Sequence, residues 1–308
     1  MAGQVTSQWI RLLAAVALAS FACARARAAA CCGGHAAITS LITGDERARF
    51  ASSLSQTQVI ANAPPDGRAV FRDDGNRPAR SALNLAGSWS FASRWQVGAA
   101  LPIGLGSPMG DVQASLGWTA LEGSDVRRSF SKMILFTSLA APTGSSPDDV
   151  QFIDEGQVTG GGFYRVATGA LALGTHRFWD FFSLAKASVG FARSFDDGLG
   201  SGQQKTVDPG WEGDVTVGLG YAVDPDWRIG GSLTSTFNEG FRVRSANGVG
   251  STLSRSLSWP LDLQVAWFFS RDAVAALAYT DETVVGPAQN AVLTRAVSLQ
   301  FGFRWGRE

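Results

Sequence analysis

The stretch AVSLQFGFRW, residues 296–305, alternates large apolar side chains with small or polar ones. Successive side chains of a β-strand point to opposite faces, so one face of this segment is apolar and aromatic and the other is polar. A half-buried strand of a soluble sheet has this pattern, and so does a strand with lipid outside and water inside. The rest of the chain has to decide between the two.

The composition favours the membrane alternative. The chain has 308 residues, with 10 Trp, 19 Phe and 36 Gly, and only 17% of its residues are charged. About a quarter is usual for a soluble protein. Beyond the N-terminal leader no segment supplies the roughly 18 consecutive apolar residues that a spanning helix needs. The 26 basic and 26 acidic residues balance, so the sequence predicts no nucleic-acid partner.

The N-terminus has the pattern of a secretory signal peptide. Arg11 precedes an apolar run from Leu12 to Ala24, and small residues follow up to Ala30. The run is too short for a membrane helix, and the alanines offer several cleavage sites. We therefore expect a signal peptide at residues 1–30, a short periplasmic segment at 31–48 and a β-barrel at 49–308.

Two cysteines and a histidine come directly after the expected cleavage site. Three interpretations are open for Cys31, Cys32 and His35. Cys31 could carry a lipid, the three side chains could bind copper(I) or zinc, or the two cysteines could form a vicinal disulfide in an oxidised tail. Ala28 stands where a lipid-attachment motif usually has Leu, and adjacent cysteines chelate a metal poorly. The oxidised tail is the favoured interpretation, and no metal or cofactor is predicted.

The alternation recurs along the chain in twelve segments. In chain order they are residues 50–60, 82–91, 94–101, 111–121, 130–141, 158–173, 179–193, 212–222, 227–237, 256–267, 273–280 and 296–305. Ten residues at about 3.3 Å each, tilted near 40°, reach roughly 25 Å, which is the height of the apolar band of a membrane barrel.

The connections between these segments alternate in length. The odd-numbered ones are mostly long and rich in Gly, Pro and Asp, whereas the even-numbered ones are shorter. Outer-membrane barrels have long extracellular loops, short periplasmic turns and an even number of strands, whereas a soluble sandwich has no reason to sort its loops in this way. The sequence therefore predicts an all-β, up-and-down antiparallel barrel of about twelve strands in the bacterial outer membrane.

Tryptophans cluster beside the predicted periplasmic turns and the C-terminus. Such rings favour the lipid headgroup level, although an ordinary protein core can also accommodate them. The six residues are Trp89, Trp95, Trp179, Trp227, Trp267 and Trp305.

Several short motifs resemble the phenol-degradation-pathway (MetA-type) outer-membrane proteins, often called transporters. They are WQVGAALP at residues 95–102, GDV at 110–112, APTGS at 141–145, and GLGY at 218–221 with Trp227. This resemblance implies a porin-like barrel for uptake of hydrophobic or aromatic compounds, without catalytic residues.

Catalysis is not predicted. The two histidines, His35 in the N-terminal tail and His176 in a short turn, are poorly placed for a hydrolase on the barrel wall. Ionisable groups facing lipid are costly, so charged and amide side chains in the polar phase should point into the lumen. They are expected either to select solutes or to fill a narrow barrel with salt bridges: Lys132, Arg165, Lys186, Arg193, Asp262, Gln264, Gln300 and Arg304.

The expected function is that of a passive channel or transporter for small, hydrophobic or aromatic solutes. Outer-membrane lipid and the outer-membrane assembly machinery are its expected partners. A structural or adhesion barrel that transports nothing is the alternative, because the long loops could contact other surfaces.

Overall fold

The computed structural model describes residues 40–73, 75, 77–106, 109–123, 131–144, 162–196, 204–245, 250–252 and 254–306. In chain order its strands are β1 (Ala48–Ala63), β2 (Val70–Phe71), β3 (Ala79–Ala92), β4 (Trp95–Gly104), β5 (Val112–Glu122), β6 (Lys132–Ala141), β7 (Arg165–His176), β8 (Trp179–Gly190), β9 (Arg193–Asp196), β10 (Gln204–Asp208), β11 (Trp211–Ala222), β12 (Trp227–Asn238), β13 (Arg242–Ser245), β14 (Gly250–Thr252), β15 (Ser256–Ser258), β16 (Leu261–Trp267), β17 (Ala273–Asp281) and β18 (Ala291–Trp305). In these ranges, no helix has the length and apolarity needed to span a bilayer.

Fourteen strands form one antiparallel sheet that closes into a barrel because β1 pairs with β18. β2 is a two-residue addition to β1. β15 and β16 both pair with β12 and are separated only by Trp259 and Pro260, so together they make one wall strand. Proline lacks the N–H that a ladder requires, which explains the break. The wall therefore has twelve strands, as the sequence predicts.

Several strand boundaries differ from the expectation; for example, β3 begins at Ala79 rather than at residue 82, and β4 ends at Gly104 rather than at residue 101. β18 begins at Ala291 rather than at residue 296, because residues 291–295 continue the pairing with β1. The predicted seventh strand ends at Gly190 rather than at Arg193. The predicted sixth strand begins at Arg165 within the described residues, and residues 158–161 lie outside them.

The outward face is apolar, as a lipid-facing wall requires. On β11, for example, Val215, Val217 and Leu219 are each more than half exposed, whereas Thr216 between them is buried on the other face. The six tryptophans named above are all exposed on the barrel and do not lie in a packed core. Trp227 and Trp267 stack with their ring centroids 6.0 Å apart. Aromatic girdles of this kind mark the interface between lipid and water.

A second, four-stranded sheet lies at the long-loop end. It has the order β14, β13, β10, β9 and joins the connection after β8 to the connection after β12. The sequence predicts both connections as long loops. Phe163, Val207, Phe241 and Val243 form a small apolar cluster at this end, with the two phenylalanine rings 6.1 Å apart.

Val217→Arg should destabilise the barrel because it places a charge on the lipid-facing wall near mid-membrane. The expected loss is about 2–4 kcal/mol of unfolding free energy in lipid vesicles, measured by urea titration. Gln113→Arg introduces the same charge at an inward, accessible position and serves as the control. Equal losses for the two variants would contradict the assignment of inner and outer faces.

Candidate functional site in the barrel lumen

The lumen contains a cavity of about 690 Å³. Inward side chains of the wall strands line it, together with Ser40 and Leu41 from the segment before β1 and Phe163 at the long-loop end. A cavity of this size falls in the range of small-molecule sites, about 300–1,000 Å³. It contains room for a small solute, and its walls differ in chemistry.

One wall carries paired charges. Lys186 on β8 lies opposite Asp214 on β11, and its Nζ is 2.6 Å from the Asp214 Oδ2. Arg165 on β7 reaches across β8 to form an ion pair with Glu212 on β11. Because each positive group is compensated by a neighbouring carboxylate, this wall is polar without a large net charge.

The opposite wall consists mainly of small, neutral side chains, and Arg49 and Arg304 are the charged residues of its strands that also line the cavity. It is formed by inward residues of β1, β4, β17 and β18, among them Ser53, Ala100, Ala276 and Ser298. The Gln300 amide donates to the Ser298 hydroxyl at 3.2 Å. Small side chains on this side leave the cavity open, and their hydroxyls and amides supply hydrogen-bonding groups.

Two acidic groups lie near the long-loop end of the cavity. The buried Asp262 accepts hydrogen bonds from the Ser232 hydroxyl at 3.2 Å and the Thr280 hydroxyl at 2.5 Å. Glu282, in the loop after β17, accepts from the backbone N–H and the hydroxyl of Thr294. Burial nevertheless raises the pKa of Glu282, so this carboxyl stays protonated to a higher pH than an exposed glutamate.

The segment before β1 enters the lumen at the short-turn end. The Gln96 amide donates to the Ile42 carbonyl at 3.3 Å, and Lys132 Nζ donates to the Gly44 carbonyl at 2.7 Å. The Ser115 hydroxyl donates to the Ser40 carbonyl at 3.2 Å. These bonds attach residues 40–44 to three neighbouring strands, β4, β5 and β6, and so narrow this end of the lumen.

Leu41 anchors the segment in an apolar cluster and is only 1% exposed. The cluster consists of inward residues of β6, β7 and β8: Ile134, Phe136, Leu171, Leu173, Phe182 and Leu184. The simple alternation rule predicts a polar interior, but this part of the lumen is apolar. The sequence contains a signal for this apolar cluster. The run MILF in β6 and the run FFSLA in β8 have apolar residues at both odd and even positions, which is the pattern of a strand buried on both faces.

Arginines occupy the other side of the short-turn end. The guanidinium groups of Arg228 and Arg304 lie 5.6 and 5.8 Å from the centroid of the Phe268 ring, and Arg228 forms an ion pair with Asp180. Cation–π contacts of this kind stabilise cations away from water. Together with the Leu41 cluster, these residues constrict the lumen towards the periplasm.

The expected lumen residues fall into three groups. Six line the cavity: Arg165, Lys186, Asp262, Gln264, Gln300 and Arg304. Lys132 instead holds the N-terminal segment through Gly44. Arg193 lies on β9, beyond the end of the wall strand, and its guanidinium donates to the Gly162 carbonyl, so its expected place in the wall is wrong. The charge partners Asp180, Glu212 and Asp214 were not anticipated.

The remaining candidates stay outside the lumen or outside the described chain. His176 is exposed at the end of β7, next to the turn to β8. Cys31, Cys32 and His35 lie outside the described residues. Within the described ranges, no three His, Cys, Asp or Glu side chains are grouped to hold a metal ion.

A solved outer-membrane channel shares this fold. The COG4313 outer membrane channel from Pseudomonas putida F1 aligns with a TM-score of 0.66 and 14% identity over 89% of this chain and 99% of its own. The NanC porin gives a TM-score of 0.46 at 10% identity over 82% and 99% of the two chains. The toluene transporter TodX of Pseudomonas putida gives 0.41 at 9% identity over 84% and 88%.

No family model matches the sequence, and no curated protein matches it either. The resemblance to the MetA-type proteins therefore stays a prediction. The closed twelve-stranded wall, the apolar outer face and the aromatic girdle make the chain a bacterial outer-membrane β-barrel. By the usual orientation of such barrels, the short turns face the periplasm and the long loops face outward.

Gly98→Ala should loosen the N-terminal segment. A Cβ at Gly98 would overlap the Ser40 carbonyl, so residues 40–44 would have to move away from β4. We expect a larger single-channel conductance in planar bilayers. The control is Gly87→Ala on β3, where the nearest atom to an added Cβ is 3.9 Å away. An unchanged conductance in Gly98→Ala would show that this segment does not limit flow.

Asp214→Asn should make the channel prefer anions. The substitution leaves Lys186 without the carboxylate that compensates it, so the lumen gains one positive charge. We expect a several-fold rise in chloride over potassium permeability, measured from the reversal potential in a salt gradient. Asp224→Asn makes the same charge change in a periplasmic turn, where an asparagine can still accept the turn hydrogen bonds. A similar shift in both variants would rule out a local lumen effect.

Proposed function

We propose that this protein is a passive outer-membrane channel for small solutes. The observation that carries the proposal is the cavity of about 690 Å³ enclosed by the barrel wall, lined by compensated ion pairs on one side and small neutral side chains on the other. A barrel that served only as a scaffold could fill its interior completely with packed side chains. The shared fold with outer-membrane channels supports the same function.

The lining favours small, uncharged solutes with both apolar and hydrogen-bonding parts. Phe136, Phe163 and several alanines offer apolar contact, whereas serines and Gln300 offer hydrogen bonds. Since the charged groups of Arg165 and Lys186 are already paired, a charged solute would have to compete with Glu212 and Asp214 for them. Uptake of hydrophobic or aromatic compounds, as the family resemblance implies, is compatible with this lining if the compound carries a polar group.

Catalysis forms no part of the proposal. The charged wall residues are held by each other, and His176 lies at the end of a periplasmic turn. Partners other than the solute, namely outer-membrane lipid and the outer-membrane assembly machinery, belong to the proposal as well.

Ala276→Trp should block the channel. Ala276 is buried and faces the cavity, so an indole at this position would fill much of the space between the two walls. We expect the swelling rate of liposomes in a neutral sugar to fall several-fold relative to the unmodified protein. Swelling in a sugar acid of equal size should be slower than in the neutral sugar.

Ala275→Trp is the matched control, because the neighbouring residue points to the lipid-facing side. It should fold into the same heat-modifiable barrel and swell at the unmodified rate. If the unmodified protein gave no swelling and no conductance, the channel proposal would fail and the structural or adhesion barrel would replace it.

A further inference from the structure

The lipid-facing wall has an apolar groove of about 560 Å³ across β11, β12, β16 and β17. Gly231 occupies an outward position on β12, in register between Leu219 on β11 and Leu263 on β16, and a Cβ added there would lie 3.3 Å from Leu263 Cδ2. A residue without a side chain leaves an indentation where its neighbours project. Ile229 and Val265 continue the aliphatic lining towards the periplasm.

The periplasmic end of the groove is aromatic. Trp179 and Tyr221 both line it, with their ring centroids 4.8 Å apart, and Phe178 packs edge-on against Tyr221 at 6.4 Å. Amphipathic rings at the end of a membrane strand lie at the level of the lipid headgroups and glycerol. The groove therefore runs from the headgroup level into the hydrocarbon region.

A cationic residue, Arg177, lies two positions before Trp179 in the chain. Arg177 is exposed in the turn between β7 and β8 and has a left-handed backbone conformation, with φ 57°. It directly precedes Phe178 and Trp179, and the exposed His176 precedes it. A guanidinium at this level can donate two parallel hydrogen bonds to a phosphate.

We propose that this groove is a binding site for one anionic phospholipid of the periplasmic leaflet. An acyl chain lies over Gly231, the glycerol region contacts Trp179 and Tyr221, and the phosphate binds Arg177. A long aliphatic groove with a cationic, aromatic end matches the polarity of a phospholipid. The site is independent of solute transport through the lumen.

Native mass spectrometry of the folded barrel, titrated with phosphatidylglycerol or phosphatidylcholine in detergent, tests the headgroup contact. We expect one retained phosphatidylglycerol per barrel and several-fold weaker retention of phosphatidylcholine, because the quaternary ammonium of phosphatidylcholine compensates the charge of its phosphate and competes with Arg177. Arg177→Asn should reduce phosphatidylglycerol retention several-fold, because asparagine tolerates a positive φ but carries no charge. Arg94→Asn removes an exposed arginine from the turn between β3 and β4, away from the groove, and should leave retention unchanged.

Gly231→Leu tests the groove itself. Its added side chain would occupy the space of the acyl chain, so retention of phosphatidylglycerol should fall. Gly87→Leu fills an outward glycine position on β3 and is the control. A heat-modifiable gel shift verifies folding, and if Gly231→Leu does not fold, Arg177→Asn decides alone. Equal retention in Arg177→Asn and Arg94→Asn, or equal retention of the two lipids by the unmodified protein, would overturn the proposal.

Discussion

Backbone hydrogen bonding in a solvent without water is the constraint on which this structure depends. In hydrocarbon every unpaired N–H or C=O costs several kcal/mol, so a sheet that crosses a membrane has to close on itself. The long pairing between β1 and β18 meets this requirement by joining the first and last strands of the chain. The apolar outer face then follows, because each outward residue meets lipid instead of other protein.

Closure of the barrel restricts the residue types on its outer face far more than those on its inner face. Every outward residue meets the same apolar solvent, whereas inward residues meet whatever lies opposite them. The lumen of this barrel consequently has distinct regions: an apolar cluster around Leu41, a pair of arginines on Phe268, a wall of ion pairs and a wall of small residues. The constricted periplasmic end and the cavity above it are two results of one closed wall. In the proposed channel, solute selection depends on the cavity, and resistance to flow depends on the constricted end.

The sequence predicted those parts of the fold in which apolar and polar side chains alternate every two residues. Alternation over ten residues marks a strand without reference to any partner, and this is why the wall strands and the exposed tryptophans were found. The pairing of Lys186 with Asp214 was not found, because it depends on the register between β8 and β11. Strands β9, β10, β13 and β14 were missed because short segments in polar loops become strands only when another loop lies beside them. Leu41 was missed because the pair Leu41 and Ile42 is too short to show the repeat that marks a strand.

By itself, the sequence determined which residues meet lipid, how many strands form the wall and which ends of the strands lie at the periplasmic interface. Each of these follows from the local order of side chains, because every wall strand has one face towards lipid and the other towards the lumen. Only the tertiary structure decided that residues 40–44 enter the lumen, which charges compensate one another and where a cavity remains. These features depend on which inward side chains face each other across the barrel, and that arrangement exists only after the wall has closed.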